Sequence, residues 1–387
     1  MFLKYAQGIA LLVGMIFGAG IFGLPYAFAE AGLSWGLLFF ILALFIVLIS
    51  HILYGEIVFF LKGRHRFTGY VEILLGKKFK NWGLILTAFS YYGSLLIYGL
   101  LGGIFLKNVF DGVGVDILTY VFLILAGLLT LFGLKIFAKV NLYLTIPLVV
   151  FVIYLFFLAL PFVNINHFFS EGRHSVPAAW FLPFGVWLFA LGGYSSLPEV
   201  RDLFRKTGFS HFKKVIKWSF GVIIFSYFLF IFSIWGVSGE FTSEDALSGI
   251  LSLGRGVLIL GSLIGILAVL TSYLALAEDM RYVFSFDYKV RPVYSWLLTV
   301  APPVFLFAMG VQNFTRSISF IGTVGLGIFA LFVVLMSKAL RVAVRDRPEV
   351  FEIIPHRTEL LQHSKFYEGV VLLGVGIASL YEIWRLF

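Results

Sequence analysis

The sequence predicts an all-α polytopic membrane protein with eleven transmembrane helices. Three observations predict this class: 60% of the 387 residues are hydrophobic, the mean hydropathy is +1.00, and only 13% of the residues are charged. Soluble domains carry about 25% charged residues, and a surface facing water could not hide so much apolar area. The composition therefore excludes soluble enzymes, nucleic-acid-binding proteins and disordered scaffolds.

Each predicted helix is an apolar window of about 20 residues, the length that crosses a bilayer. Charged or Gly- and Pro-rich segments separate the windows. The first window is interrupted by Gly18, Gly20 and Pro25, and the sixth by Gly193 and Pro198. The eleven windows are 5–30, 34–61, 82–108, 116–135, 140–161, 178–205, 213–236, 254–281, 292–310, 314–337 and 366–385.

The lysines and arginines predict the orientation, because cytoplasmic loops are enriched in both. With the N-terminus inside, 24 of them fall on the cytoplasmic side and 5 on the outside. The C-terminus then lies outside. The A-F-A motif at 27–29 resembles a signal-peptidase site, but the glycines and proline of the preceding run are unfavourable for a signal peptide. We therefore expect a retained, cytoplasmic N-terminus in a prokaryotic-type plasma (inner) membrane.

The chain repeats itself at an offset of 173 residues. G-A-G-I-F-G-L-P at 18–25 aligns with L-G-G-Y-S-S-L-P at 191–198, and the same offset carries helices 3, 4 and 5 onto helices 8, 9 and 10. Because each unit has five helices, the second is inverted in the membrane, as in many secondary transporters. The predicted units are 1–161 and 178–337, followed by an additional helix at 366–385.

Both units open with a helix that Gly and Pro interrupt at the same place. Unwound backbone in a bilayer is tolerated where it is buried or lines a cavity. Its free N–H groups can hold a carboxylate and its free C=O groups an ammonium or a cation. The alternative is that these residues only permit close helix packing. Two breaks in register favour a binding site for an amino-acid zwitterion near the membrane midplane.

The motif G-A-G-I-F-G-L-P-Y at 18–26 resembles the opening helix of the hydroxy/aromatic amino acid permeases and the related amino acid/auxin permeases. These families belong to the amino acid–polyamine–cation superfamily with the LeuT-type fold. Helix 6 departs from the pattern, because it reads G-G-Y-S-S-L-P-E-V where aromatic permeases tend to have a His. Weaker matches are Leu53–Val58, Tyr92, Tyr98, Phe189–Pro198, T-S-Y-L at 271–274 and Pro302-Pro303.

The resemblance implies ion-coupled uptake of aromatic or other large neutral amino acids by alternating access. The carboxylate is expected on the amides of helix 1, the amine on the carbonyls of helix 6, and aromatic rings around the side chain. Helix 3 presents Tyr91, Ser94 and Tyr98 on one face, either to this pocket or for packing. The expected substrate-binding residues are Gly18, Ala19, Gly20, Ile21, Phe22, Tyr91, Ser94, Tyr98, Ala190, Leu191, Gly192, Gly193 and Tyr194.

Helix 8 carries A-V-L-T-S at 268–272, which resembles the sodium site of sodium-coupled LeuT-type transporters. The ligands would be the Ala268 carbonyl and the Thr271 and Ser272 hydroxyls, completed by carbonyls of Gly14 and Phe17. The alternative is that the hydroxyls bond back to their own helix. We expect sodium rather than a proton as the coupling ion.

Ionisable groups inside the membrane are functional candidates, because a charge at the midplane costs about 2.5–3.5 kcal/mol or more. Glu56, Glu199 and His51 are therefore the candidates for proton coupling. Glu56 could instead pair with the basic run at 62–66, and His51 could serve packing. Glu30 ends helix 1. Glu278 and Asp279 end helix 8, where Lys289 and Arg291 are their expected partners.

Other classes of function lack their motifs. The sequence has no H-E-x-x-H metal motif, no phosphate-binding G-x-x-x-x-G-K and no cysteine. We expect no enzymatic activity, no cofactor and no metal, and we expect the amino acid and membrane lipid as the partners, without nucleic acid. The alternatives to a symporter are an uncoupled exchanger, or a channel or nutrient sensor built on the same fold.

Overall fold

The computed structural model describes residues 1–132, 134–356, 359–360 and 365–385, and it describes only the backbone for 132, 134–145 and 365. The described residues form helices and no strand; the extended pairing is a single bridge between Leu61 and Phe351. The α-helices are α1 Phe2–Ile16, α2 Gly20–Phe60, α3 Phe67–Leu75, α4 Lys77–Val109, α5 Val115–Leu129, α6 Leu134–Ala159, α7 Leu182–Ala190, α8 Leu197–Phe204, α9 Phe209–Ser238, α10 Arg255–Tyr282, α11 Pro292–Ala308, α12 Phe314–Phe320, α13 Gly327–Asp346, α14 Lys365–Gly369 and α15 Gly376–Trp384.

The first predicted helix is broken, as its glycines indicate. Helix α1 ends at Ile16, and α2 begins at Gly20. Helix α2 then continues through a kink at Gly32, whose φ of 80° is a left-handed conformation that glycine adopts without steric cost. This kink separates the first two predicted windows.

The sixth predicted helix is also broken. Helix α7 ends at Ala190, and α8 begins at Leu197 after a 3-10 turn at Tyr194–Ser196. Pro198 lies in the first turn of α8, where its missing N–H leaves no intrahelical bond unmade. The two breaks lie at the positions that the 173-residue offset relates.

Seven helices in the described residues are long and apolar enough to cross a membrane, and four more are apolar but shorter. Several differ from the predicted windows at their ends. The predicted loop at 62–80 contains the short helix α3. The tenth predicted helix, 314–337, extends to Asp346 at the end of α13. Wider π-turns at Ile321–Leu326 and Val370–Val375 interrupt the last two apolar helices. The boundary predicted at 135–140 lies where only the backbone is described.

The long helices pack in the pairs that position the breaks. Helix α4 packs along α10, and α2 packs along α7 and α9. The core between them is aromatic: Phe22 meets Phe105 and Phe230, and Phe28 lies against Trp187. This packing surrounds the two unwound segments with other helices, as polar backbone in a bilayer requires.

Candidate functional site

The two helix breaks touch each other through their glycines. A Cβ on Gly20 would lie 2.3 Å from the Cα of Ala190, at the end of α7. A Cβ on Gly193 would lie 2.3 Å from the side chain of Ile16, at the end of α1. Each break therefore packs a glycine against the last residues of the other half-helix.

A small cavity lies beside this junction. Its volume is about 40 Å³, far below the roughly 300–1,000 Å³ of typical ligand pockets. Side chains must therefore move before an aromatic amino acid can enter. Half of the lining comes from predicted substrate-binding residues, namely Tyr91, Ser94, Tyr98, Gly192, Gly193 and Tyr194. The rest comes from Met15, Phe189, Ser195, Leu276, Leu326 and Phe329.

The other predicted substrate-binding residues are buried around the junction and do not line this cavity. Gly18 faces α4 and α10, because a Cβ there would lie 3.0 Å from the Ser272 hydroxyl oxygen and 3.1 Å from the Tyr98 ring. Phe22 packs into the aromatic core instead. The residues outside the lining are Gly18, Ala19, Gly20, Ile21, Phe22, Ala190 and Leu191.

The predicted sodium ligands lie on α10 and at the end of α1. The Thr271 hydroxyl donates to the Ala268 carbonyl oxygen at 2.9 Å, so these two candidate ligands bond to each other. The buried Ser272 hydroxyl faces the first break, next to Gly18. Gly14 and Phe17 are buried in and just after the last turn of α1.

Tyr227 on α9 is a central residue of the junction that the sequence reasoning missed. Its hydroxyl lies 3.0 Å from the carbonyl oxygen of Ile16 and 2.8 Å from that of Ala190. These are the last residues of α1 and α7, and Tyr227 is fully buried between them. The sequence did contain a signal for this residue, because the 173-residue offset of the repeat pairs Tyr227 with another tyrosine, Tyr54.

Arg66, in the loop before α3, is the second residue that was missed. Its guanidinium lies 2.8 Å from a carboxylate oxygen of Glu199 on α8 and 2.8 Å from one of Asp279 on α10. The cavity residue Tyr91 donates to Asp279 at 2.6 Å. Burial opposes the charge on Arg66, but the two carboxylates outweigh it and raise the pKa of the guanidinium. Arg66 thus joins two helices on the side of the cavity predicted to face the cytoplasm.

These contacts correct the predicted ion pairs. Asp279 pairs with Arg66, and Glu278 pairs with Arg281 at 2.9 Å. The predicted pairing of both acids with Lys289 and Arg291 is therefore wrong. The reason is the fold of the 62–66 loop, which brings a basic residue from another part of the chain.

Glu56 and His51, two candidates for proton coupling, are fully buried on α2. Glu56 lies 3.7 Å from Arg341 on α13, so it is paired with a basic residue, but one that lies outside the run at 62–66. His51 bonds to the Val47 carbonyl oxygen through Nδ1 at 2.8 Å, which makes Nδ1 the protonated nitrogen. Its ring stacks on the cavity residue Tyr194, with ring centroids 4.0 Å apart.

Glu30, on α2 just before the kink at Gly32, anchors the loop at residues 173–176 to this helix. Its buried carboxylate accepts hydrogen bonds from the Ser175 backbone N–H at 2.8 Å and the Ser175 hydroxyl at 2.6 Å, and it pairs with Arg173. The backbones also fit closely, because a Cβ on Gly172 would lie 2.7 Å from the Glu30 carbonyl oxygen. Glu30 therefore has a structural role at this end of the bundle.

Two broken helices that meet beside a partly polar cavity, inside an apolar helical bundle, are the arrangement typical of a membrane transporter. The chain belongs to the tryptophan/tyrosine permease family, whose family model matches residues 2–362. The resemblance noted from the sequence is thereby confirmed. No curated protein is a significant match to the sequence.

Two solved structures share the fold over nearly the whole chain. Mhp1, a nucleobase-cation-symport-1 family transporter in a closed conformation with bromovinylhydantoin bound, has a TM-score of 0.68 and 13% identity, covering 99% of this chain and 91% of its own. MhsT in complex with L-phenylalanine has a TM-score of 0.68 and 16% identity, covering 98% of both chains. At these identities both structures show the fold alone.

Proposed function

We propose that this permease is a secondary transporter for aromatic amino acids, with its substrate site at the junction of the two helix breaks. The observation that carries the proposal is the cavity beside that junction, which aromatic rings and hydroxyls line. Tyr91, Tyr98, Phe189, Tyr194 and Phe329 supply the rings. Aromatic surfaces with a few placed polar groups suit an amphipathic aromatic ligand. Family membership and the phenylalanine complex of MhsT support the same substrate class.

The transport mechanism in this proposal is alternating access within a bundle of eleven crossings. The two units carry their breaks at related positions, residues 17–19 and 191–196, which supports the inverted repeat. The N-terminus is inside and the C-terminus outside, as the distribution of basic residues favours. The helices around the breaks rock against α4, α5, α10 and α11, and the site opens to one side at a time.

The coupling ion in this proposal is sodium, bound between α1 and α10. The Ser272 hydroxyl facing Gly18 supports a ligand at this place. Coupling then means that sodium binds the substrate-ready state more tightly than the other states. The proton alternative places the exchangeable proton on Glu56, Glu199 or His51.

The deciding experiment is uptake of labelled L-tyrosine, L-tryptophan and L-phenylalanine into liposomes that contain the purified protein. Saturable uptake driven by an inward sodium gradient, with counterflow, supports the symporter. Counterflow without any response to ion gradients identifies an exchanger, and non-saturable flux identifies a channel. Absence of both binding and flux for all three amino acids contradicts the proposal.

A further inference from the structure

The carbonyl ends of the two broken helices converge on one neutral side chain. Tyr227 reaches the last carbonyl of α1 and the last carbonyl of α7 with a single hydroxyl, at 3.0 Å and 2.8 Å. Its ring packs edge-on against Phe17, with centroids 5.2 Å apart, and lies against Trp187. The ring is therefore held by packing, and the hydroxyl is fixed between the two oxygens.

Two helix C-termini that converge inside a membrane bring like partial charges together, which is unfavourable. Each end carries roughly half a negative charge from its unsatisfied carbonyl groups, and no bulk water is present to solvate them. A small cation between the ends is one solution, and a hydrogen-bond donor is the other. A phenol brings one proton and no net charge. The Ile16 carbonyl also accepts from the Gly18 backbone N–H at 2.7 Å, which reduces its need for a cation.

We infer that the Tyr227 hydroxyl takes the place of a cation between the two breaks and thereby positions both half-helices for the substrate. The inference rests on the proposed function, because it assigns a role within the same site. It leaves the α10 hydroxyls as the place for a coupling ion. It also engages the Ala190 carbonyl and leaves the Leu191 and Gly192 carbonyls to the substrate ammonium.

Packing alone is the competing explanation, and the chain offers a matched control for it. Tyr273 on α10 is as deeply buried as Tyr227. Its hydroxyl has no hydrogen-bond partner among the residues that the structure describes. Tyr227→Phe and Tyr273→Phe each remove one buried oxygen, but only the first frees carbonyl oxygens at the helix breaks.

The experiment measures transport and substrate-free thermal stability of both variants against NaCl, LiCl and choline chloride at constant ionic strength. Tyr227→Phe should lower uptake about tenfold, the effect of losing one buried hydrogen bond in the active state. It should also acquire a saturable stabilisation by Na⁺ or Li⁺ that persists when Thr271→Ala and Ser272→Ala are added. Tyr273→Phe should resemble the wild type in both measurements.

Each outcome decides the inference. Wild-type uptake by Tyr227→Phe, or reduced uptake without any new cation response, overturns it. If Tyr227→Phe does not fold, 4-aminophenylalanine at position 227 decides, because it keeps an N–H donor in the same place. A folded, active analogue supports the inference, whereas an inactive or unfolded one overturns it. The cation response is measured without substrate, so it tests the role of Tyr227 even if the wild-type protein does not transport aromatic amino acids. Failure of this inference can therefore be distinguished from failure of the proposed function.

Discussion

Gly20 and Ala190 are in direct backbone contact across the two helix breaks, with room for hydrogen but not for a Cβ between them. The sequence predicts Gly20 to be a substrate-binding residue in helix 1, whose amides are expected to hold the carboxylate. The structure adds a packing role, because Gly20 faces α7 whereas Gly18 faces the Ser272 and Tyr98 hydroxyls. Substitutions at the two glycines should therefore fail in different ways.

Gly20→Ala should destabilise the protein by about 1–3 kcal/mol, the usual cost of overpacking. The new Cβ would lie 2.3 Å from the backbone of Ala190, which cannot move aside as a flexible side chain can. The measurement is the fraction that stays monodisperse after heating in detergent. Gly221→Ala on α9 is the control, because a Cβ there meets nothing within 4 Å. Equal stability of the two variants would contradict the contact.

Arg66→Gln should shift the protein towards a state open on the predicted cytoplasmic side. The change leaves the buried Asp279 without its ion-pair partner, and breaking a buried pair typically costs about 3–5 kcal/mol. The chain has no cysteine, so Ser195→Cys in the cavity lining can be labelled without background. Labelling from that side should rise about tenfold, which corresponds to about 1.4 kcal/mol.

Arg64→Gln is the control for this prediction. Arg64 pairs with Asp202 at 2.8 Å, but its side chain is 79% exposed, and exposed pairs contribute about 0–1 kcal/mol. Labelling of Ser195→Cys should therefore not change in this background. An equal rise in both variants would mean that Arg66 does not hold α8 to α10.

Thr271→Ala together with Ser272→Ala should abolish sodium-stimulated substrate binding and keep weak sodium-independent binding. The double change removes two proposed ligands and little volume. The measurement is substrate affinity against sodium concentration at fixed pH, and then against pH at fixed sodium. Wild-type affinity that ignores sodium and follows pH would refute the sodium site. Glu56, Glu199 and His51 would then be tested singly.

Glu30→Gln should lower stability by several kcal/mol without a direct effect on the substrate site. The uncharged amide cannot form an ion pair with Arg173. The Ser175 backbone N–H and hydroxyl bond to different carboxylate oxygens, and the NH₂ group that replaces one of these oxygens cannot accept, so one of the two hydrogen bonds is lost. Thermal stability and substrate affinity are measured in parallel. Asp111→Asn, whose pair with Arg255 is exposed, is the control and should be nearly neutral. A loss of affinity in Glu30→Gln at unchanged stability would assign Glu30 to the substrate site instead.

Much of the fold could be predicted because its signals are local in the sequence. Apolar windows locate the long helices, and the glycines at 18, 20, 192 and 193 locate both breaks. Helix α3 was missed because its nine residues lie in a basic stretch that resembles a loop. The π-turns were missed because a change of hydrogen-bond spacing from four residues to five does not alter the hydropathy of the sequence.

The site could be predicted only in part, because its contacts join distant segments. Six of the predicted residues line the cavity. Three were predicted from the repeat and three from their spacing on one face of α4, and both signals are local in the sequence. Arg66 and Tyr227 were missed because their partners lie far along the chain: Asp279 for the first, and Ile16 and Ala190 for the second. The partners of Glu56 and Asp279 were mispredicted for the same reason, since proximity in sequence suggested the wrong basic residues.

The contacts between Glu30 and the 173–176 loop join the surface predicted to lie outside the membrane to the first broken helix, so that the two must move together. The Ala29 and Glu30 carbonyls accept backbone hydrogen bonds from Arg173 and His174, in addition to the side-chain contacts. Any tilt of the helix segment before Gly32 must therefore carry this loop with it. An antibody fragment that binds this loop would therefore restrain a movement of the broken helix inside the membrane. A fluorophore attached to the loop would report the same movement from the aqueous side.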